Sequence, residues 1–325
     1  MIRTMKFCSM MLCLALCAAC SSDNDEVEGP QPSKQSYPLT IEVKENPLVP
    51  DGDAVRSATK AVITTTSTLS QFSMNYVYGN NSTGSETATK NGEGKWKSEG
   101  SWPNDAAANG ADVAWYASTA GTFQLNENNP YINFTVEDQA MKQKDLLVAT
   151  ANGTWANTGG VLSFAFDHAC SALRFYVKKA TNLRDYTLTV SSIVLKNVVK
   201  QGDYYYQGRN WQLSNNRFDY TLFGGSKELD STTDYSLLVG SETDSYLFLI
   251  PQTLTAWDTS TAISSATTQC YLQIECEISK DGNSQFSGTA YIPFGATFNA
   301  GYQHDVKINI GKNSLYRDPN TKIIN

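Results

Sequence analysis

The sequence predicts an all-β protein. Three observations carry that reading: apolar residues recur at every second position in many short stretches, clusters of Gly, Asn, Asp and Pro separate those stretches, and no apolar stripe of helical spacing has useful length. Leu39, Ile41 and Val43 alternate with Thr40, Glu42 and Lys44. Phe72, Met74, Tyr76 and Tyr78 alternate with Ser73, Asn75 and Val77. Both are expected to be strands with one buried face. Between them Asn46-Pro47-Leu48-Val49-Pro50-Asp51-Gly52-Asp53 holds two prolines and a glycine, which cannot continue a sheet, so an exposed loop is expected.

Residues 113–117 and 146–149 are short continuous apolar runs suited to central strands, and Ile132, Phe134 and Val136 alternate. The turn-rich segment 152–160 is the strongest internal break, so a domain boundary is expected there, giving an N-terminal β-sandwich over 37–158 and a C-terminal one over 159–325. Strands follow at 161–166, at Leu173, Phe175 and Val177, at Tyr186, Leu188 and Val190, and at 246–250, where Pro251 stops the run. Cys270, Leu272, Ile274, Cys276 and Ile278 face away from Tyr271, Gln273, Glu275 and Glu277. Lys280-Asp281-Gly282-Asn283 then supplies hairpin chemistry before a strand at 286–292. Tyr302, His304, Val306, Ile308 and Ile310 form the last clear strand.

The chain starts with an export signal, residues 1–19. Arg3 and Lys6 precede 13 almost wholly apolar residues, 7–19, which end in small side chains. That run is too short to span a bilayer, which needs about 20 apolar residues. Ala18-Ala19 before Cys20 resemble a bacterial lipobox, with Cys17 where Leu is usual, and imply that Cys20 becomes the acylated first residue. The other reading is an ordinary cleavage site with Cys20 incidental. Several acyl chains on one residue, at ~0.8 kcal/mol per buried CH₂, would hold the protein durably on a membrane. Ser21-Ser22-Asp23-Asn24-Asp25-Glu26 resembles the surface-export signal of lipoproteins in gut and oral anaerobes, which implies the outer face of the outer membrane. Residues 20–36 read as a lipidated tether.

Removal of residues 1–19 from the 325 leaves 306, enough for two domains, and takes the formal charge from −7 to −9. No basic cluster exceeds Lys178-Lys179, so nucleic acid is not an expected partner. Three cysteines remain in the body. Cys270 and Cys276 lie roughly 20 Å apart if in one strand, at ~3.3 Å per residue, and cannot pair with each other. A bridge from Cys170 to either is open, with buried free thiols the expected state.

The chain has two histidines. His168 shares strand parity with Cys170, but Asp167 points to the opposite face and cannot orient it, so a satisfied core histidine is expected rather than a thiol catalyst. His304 has the same reading. No phosphate loop, nucleophile elbow or calcium loop occurs, so no catalytic residue, cofactor or metal site is expected. Tyr204-Tyr205-Tyr206 and Trp211 could form a sugar platform, although alternation between core and surface is the expected behaviour of strand residues.

Five separated segments resemble, in order, the Mfa-like fimbrillins, pilus subunits and pilus-like lipoproteins of anaerobic Gram-negative bacteria. They are Trp102-Pro103 followed by Val113-Ala114-Trp115-Tyr116-Ala117; Asp145-Leu146-Leu147-Val148-Ala149; Phe164-Ala165-Phe166-Asp167-His168-Ala169-Cys170-Ser171; Leu249-Ile250-Pro251-Gln252-Thr253-Leu254; and Ile292-Pro293-Phe294 leading to Gly301-Tyr302. The resemblance implies two transthyretin-like sandwich domains, lipoprotein export, and assembly with other fimbrillin subunits by strand exchange. Thr59-Lys60-Ala61 departs from the family's usual Thr-Arg-Ala. Arg56 is the only arginine between Arg3 and Arg174, so processing between Arg56 and Ser57 is expected to free the first strand; the other reading is that Arg56 is a solvated loop residue and the first strand stays, as suits a lipid-held minor subunit. Residues 313–325 make a weak donor strand around Asp318-Pro319, which favours a tip or accessory subunit over a main stalk protein. The alternative is a monomeric surface lipoprotein that binds a glycan or host protein.

Overall fold

The computed structural model describes residues 37–50, 69–138, 142–239, 246–317 and 321–322. The first half supplies β1 (Pro38–Glu45), β2 (Val49–Pro50), β3 (Gln71–Tyr78), β4 (Ser82–Lys90), β5 (Trp96–Ser101), β6 (Val113–Ser118), β7 (Thr122–Asn126), β8 (Asn129–Thr135), β9 (Leu147–Gly153) and β10 (Val161–His168). The second half adds β11 (Ser171–Lys179), β12 (Thr187–Val198), β13 (Gln201–Tyr205), β14 (Asn210–Leu213), β15 (Phe218–Glu228), β16 (Ser236–Val239), β17 (Leu247–Leu249), β18 (Gln252–Leu254), β19 (Tyr271–Lys280), β20 (Asn283–Pro293), β21 (Ala296–Phe298), β22 (Tyr302–Ile310), β23 (Tyr316–Arg317) and β24 (Thr321–Lys322). Two short helices, α1 (Asn104–Asn109) and α2 (Trp155–Thr158), interrupt them.

Seven strands close on themselves in the order β1-β10-β9-β6-β3-β4-β5, which leaves no free edge in that sheet. Their inward residues build an aromatic core. Phe72 lies 5.8 Å from Phe164 and 5.0 Å from Phe166, and Trp102 meets Trp115 edge-on at 5.6 Å. Such pairs add to plain area burial.

The larger core belongs to the second half. Sheets β15-β12-β19-β20-β23-β24 and β16-β11-β22-β2 both point alternate residues into it, among them Ile193, Leu195, Leu272 and Ile274 from the first and Leu173, Phe175 and Ile308 from the second. A four-stranded sheet, β14-β13-β8-β7, lays Ile132, Phe134 and Tyr204 on the same core. The hairpin after β19 forms as the sequence implies. Asp281 and Gly282 take φ of 51° and 77°, the paired positive values of the tight turn that matches strand twist.

The boundary expected at 158/159 falls inside the closed sheet, because β10 pairs with both β1 and β9. Segment 152–160 is a crossover within that sheet rather than a linker. Thr154 Oγ1 accepts a hydrogen bond from Asn157 N at 3.1 Å to start α2, and Gly159 and Gly160 end it with φ of 62° and 77°. The loop expected at 46–53 is also partly paired. Val49 and Pro50 lie parallel to Tyr302 and Gln303, an edge position that suits a proline.

Candidate functional site

The first strand is seated on two sides by strands distant in sequence. β1 runs parallel to β10, from Thr40 opposite Val161 to Glu45 opposite Phe166, and antiparallel to β5 at Pro38, Thr40 and Ile41. Its ends are tied by Thr40 N to Gly160 O at 2.9 Å and Asn46 N to Phe166 O at 2.8 Å. Ile41 is buried, Leu39 and Val43 pack beside it, and Tyr37 meets Trp155 edge-on at 5.2 Å. Full burial of one such aliphatic side chain is worth ~1.5–3 kcal/mol, so the strand is held firmly, though by non-covalent contacts alone. Gly160 permits the close fit. A Cβ there would stand 2.7 Å from Pro38 O.

Beyond β1 the chain crosses from one core to the other. Asn46 Nδ2 donates to Asp167 Oδ1 at 2.6 Å, and Arg209 pairs with the other oxygen of Asp167 at 2.7 Å. Leu48 packs against the larger core, and Val49 N bonds Gly301 O at 2.8 Å.

At the end of β1 lies a buried charge cluster. His168 Nδ1 bonds the carboxylate of Asp145, and Nε2 lies 3.3 Å from Glu45 Oε1 without hydrogen-bond alignment. The three side chains are 1 %, 2 % and 7 % exposed for His168, Asp145 and Glu45. Burial opposes charge on the imidazole, but the two carboxylates outweigh it and raise His168 to about 9. Burial also pushes the Asp145 carboxyl up, against the pull of His168. The carboxylates approach opposite ring nitrogens, so the three groups do not share a point where an ion could sit. Among the described residues no group of three His, Cys, Asp or Glu could hold a metal.

Asp167 points outward, as its parity implies, and takes no part in this cluster. Cys170 is buried and free, and desolvation moves its thiol well above the ordinary value, which disfavours the thiolate. Cys270 and Cys276 are likewise buried and free, raised to about 11 and about 12 by burial. His304 is buried against Phe298, whose ring centroid lies 5.2 Å away. Tyr204 and Tyr206 point inward and Tyr205 outward. Cys20, Arg56 and Ser57 lie outside the described residues.

Sequence reasoning did not find Glu45 and Asp145. The signal for Glu45 was present: it shares parity with Leu39, Ile41 and Val43, so a carboxylate ends an otherwise apolar face. For Asp145, which precedes its strand, periodicity offers nothing.

A family model described as fimbrillin-like matches residues 52–323. The chain belongs to the fimbrillin-like family. This fimbrillin-like chain is similar in fold to a fimbrial protein of Bacteroides vulgatus, at 16 % identity and a TM-score of 0.51 over 83 % of this chain and 95 % of that one. A chain of Bacteroides ovatus described as a putative cell adhesion protein aligns at 13 % identity and a TM-score of 0.45, over 86 % and 95 %. No curated protein matches. Among the described residues near the C-terminus of this fimbrillin-like chain, Leu315 is fully buried, β23 pairs with β20 at Tyr291, and β24 pairs with β23.

Proposed function

We propose that this protein is a cell-surface fimbrial subunit, exported as a lipoprotein acylated at Cys20 and joined to its neighbours by exchange of a β-strand. It catalyses no reaction. The observation that carries the reading is the seat of β1: a terminal strand bonded on both sides, followed within the next residues of sequence by Arg56. Cleavage between Arg56 and Ser57 leaves β1 without a covalent tie to the body. Its departure opens the closed sheet between β5 and β10, and two unpaired strand edges flanking Phe72, Phe164 and Phe166 are a template for a strand from another subunit. The pairing of β23 with β20 and of β24 with β23 favours a tip or accessory place over a main stalk one. The outer membrane is the partner of the acyl chains before processing, and a host or bacterial surface ligand is the partner of the assembled fimbria.

Mass spectrometry of the protein from fimbriated cells tests this. A mature N-terminus at Ser57 supports the exchange, whereas an acylated Cys20 peptide continuous through residue 60 refutes it.

A further inference from the structure

We propose that the outward face of the sheet β14-β13-β8-β7 is a binding surface for a neutral saccharide; the proposal rests on the surface-adhesion reading only for the place where such a ligand is met. Cross-strand register aligns the face in rows. Gln124, Tyr131, Tyr205 and Asn210 stand opposite one another in one row, and Thr122, Asn133, Asp203 and Gln212 in the next. The inward residues of the same strands, Ile132, Phe134 and Tyr204, are buried in the core, so strand alternation turns both rows to solvent.

The chemistry of the face selects the ligand. Asp203 is the one charged residue in the four strands. Other sheet faces of this protein are charged: Lys97 and Glu99 on β5, Arg174 and Asp305 on β11 and β22, Lys196 and Glu275 on β12 and β19. A nucleic acid, a sulfated glycan or an anionic lipid finds no cation among the rows. A protein partner finds no aliphatic anchor there, and protein interfaces need a desolvated apolar centre. What remains suits a polyol. Tyr131 and Tyr205, a directly opposed cross-strand pair, pack on each other with ring centroids 5.1 Å apart and planes at 32°, and both are half-exposed, so the outer face of the pair is the part offered to the C–H face of a pyranose. Beside it the amides of Asn133, Gln124, Asn210 and Gln212 can each donate to one hydroxyl and accept from another. Asp203, which accepts from Asn133 Nδ2 at 2.7 Å, keeps its second oxygen for a sugar hydroxyl, and Tyr205 Oη is set by Gln212 Oε1 at 3.3 Å. These contacts hold the polar groups in place before a ligand arrives, which lowers the ordering cost of binding.

The test uses the full chain in detergent on an array of neutral hexose oligosaccharides printed beside sialylated and sulfated ones. Binding to neutral members is expected, weakened about tenfold or more in Tyr205→Ala and in Asp203→Asn, each with an unchanged melting temperature. Tyr302→Ala, on the exposed start of β22, is expected to bind as the wild type does. Binding to anionic members alone, no binding to any neutral member, or neutral binding that survives both substitutions overturns the proposal. Fimbrial incorporation of Tyr205→Ala is scored in parallel and is expected to be normal. Saccharide binding by a chain that is never incorporated would refute the assembly reading and leave this one standing.

Discussion

Glu45, the last residue of the first strand, and His168, the last residue of the strand beside it, place a carboxylate 3.3 Å from an imidazole in the interior of the protein. Asp145 holds the other ring nitrogen, so the imidazole has one fixed counter-charge from the body and one from the strand that is proposed to leave. Removing β1 therefore strips His168 of one of its two carboxylate partners.

Stability is expected to fall as pH rises from about 6.5 through about 9. His168 is raised in the folded state, so its contribution is complete below its ordinary value and is lost as pH climbs through the folded value. Asp145, raised from the ordinary carboxylate value, makes a separate contribution that begins to be lost as pH climbs above that value. The full effect of His168 is on the order of 3 kcal/mol. Thermal unfolding at intervals from pH 6 to pH 10 should show this slope, and His168→Gln should flatten it. A wild-type curve level across that range would contradict a charged His168.

Glu45→Ala should loosen the first strand more than substitutions at its exposed positions. Breaking a buried pair from one side costs about 3–5 kcal/mol, whereas Glu42→Ala removes a surface hydrogen bond that Ser163 Oγ donates to the Glu42 carboxylate and should cost under about 1 kcal/mol. Hydrogen exchange at the β1 amides reads the difference directly. Equal protection in the two variants would mean that Glu45 does not hold the strand.

Gly160→Ala should act on the same strand through the backbone. The position has φ of 77° and a Cβ would meet Pro38 O and Trp155 Nε1, so the neighbouring strand must shift. A loss of about 1–3 kcal/mol is expected, with faster proteolysis of residues 37–50 than in the wild type. Unaltered cleavage kinetics would show that the seat tolerates the added atom.

The body thiols should be inert in the native protein. Burial holds Cys170, Cys270 and Cys276 protonated at pH 8, so iodoacetamide should label none of them until the chain unfolds. Labelling at the rate of a free thiol would show that one of them is reached by solvent.

Cys20→Ala should release the protein from the membrane fraction into the periplasm or medium, since the acyl chains are the expected anchor. Retention in the membrane fraction by that variant would count against lipidation at Cys20.

By itself the sequence determined which residues turn inward. Alternation at Leu39, Ile41 and Val43, at Phe164 and Phe166, and at Leu272 to Ile278 follows from the two-residue period of an extended chain, and Asp281-Gly282 sets its turn through backbone preferences of two adjacent residues. Both are local properties, so both were legible. Tertiary structure alone decided which strand each of these meets. β1 lies beside β10 in parallel although about 120 residues separate Ile41 from its partner Leu162, and that pairing carries the closed sheet past the expected boundary at 158/159 to His168. It also brings Glu45 and Asp145 to one imidazole. Periodicity tells which face a side chain occupies, while the choice of neighbour across that face depends on how distant apolar surfaces bury one another, and no spacing along the chain records it.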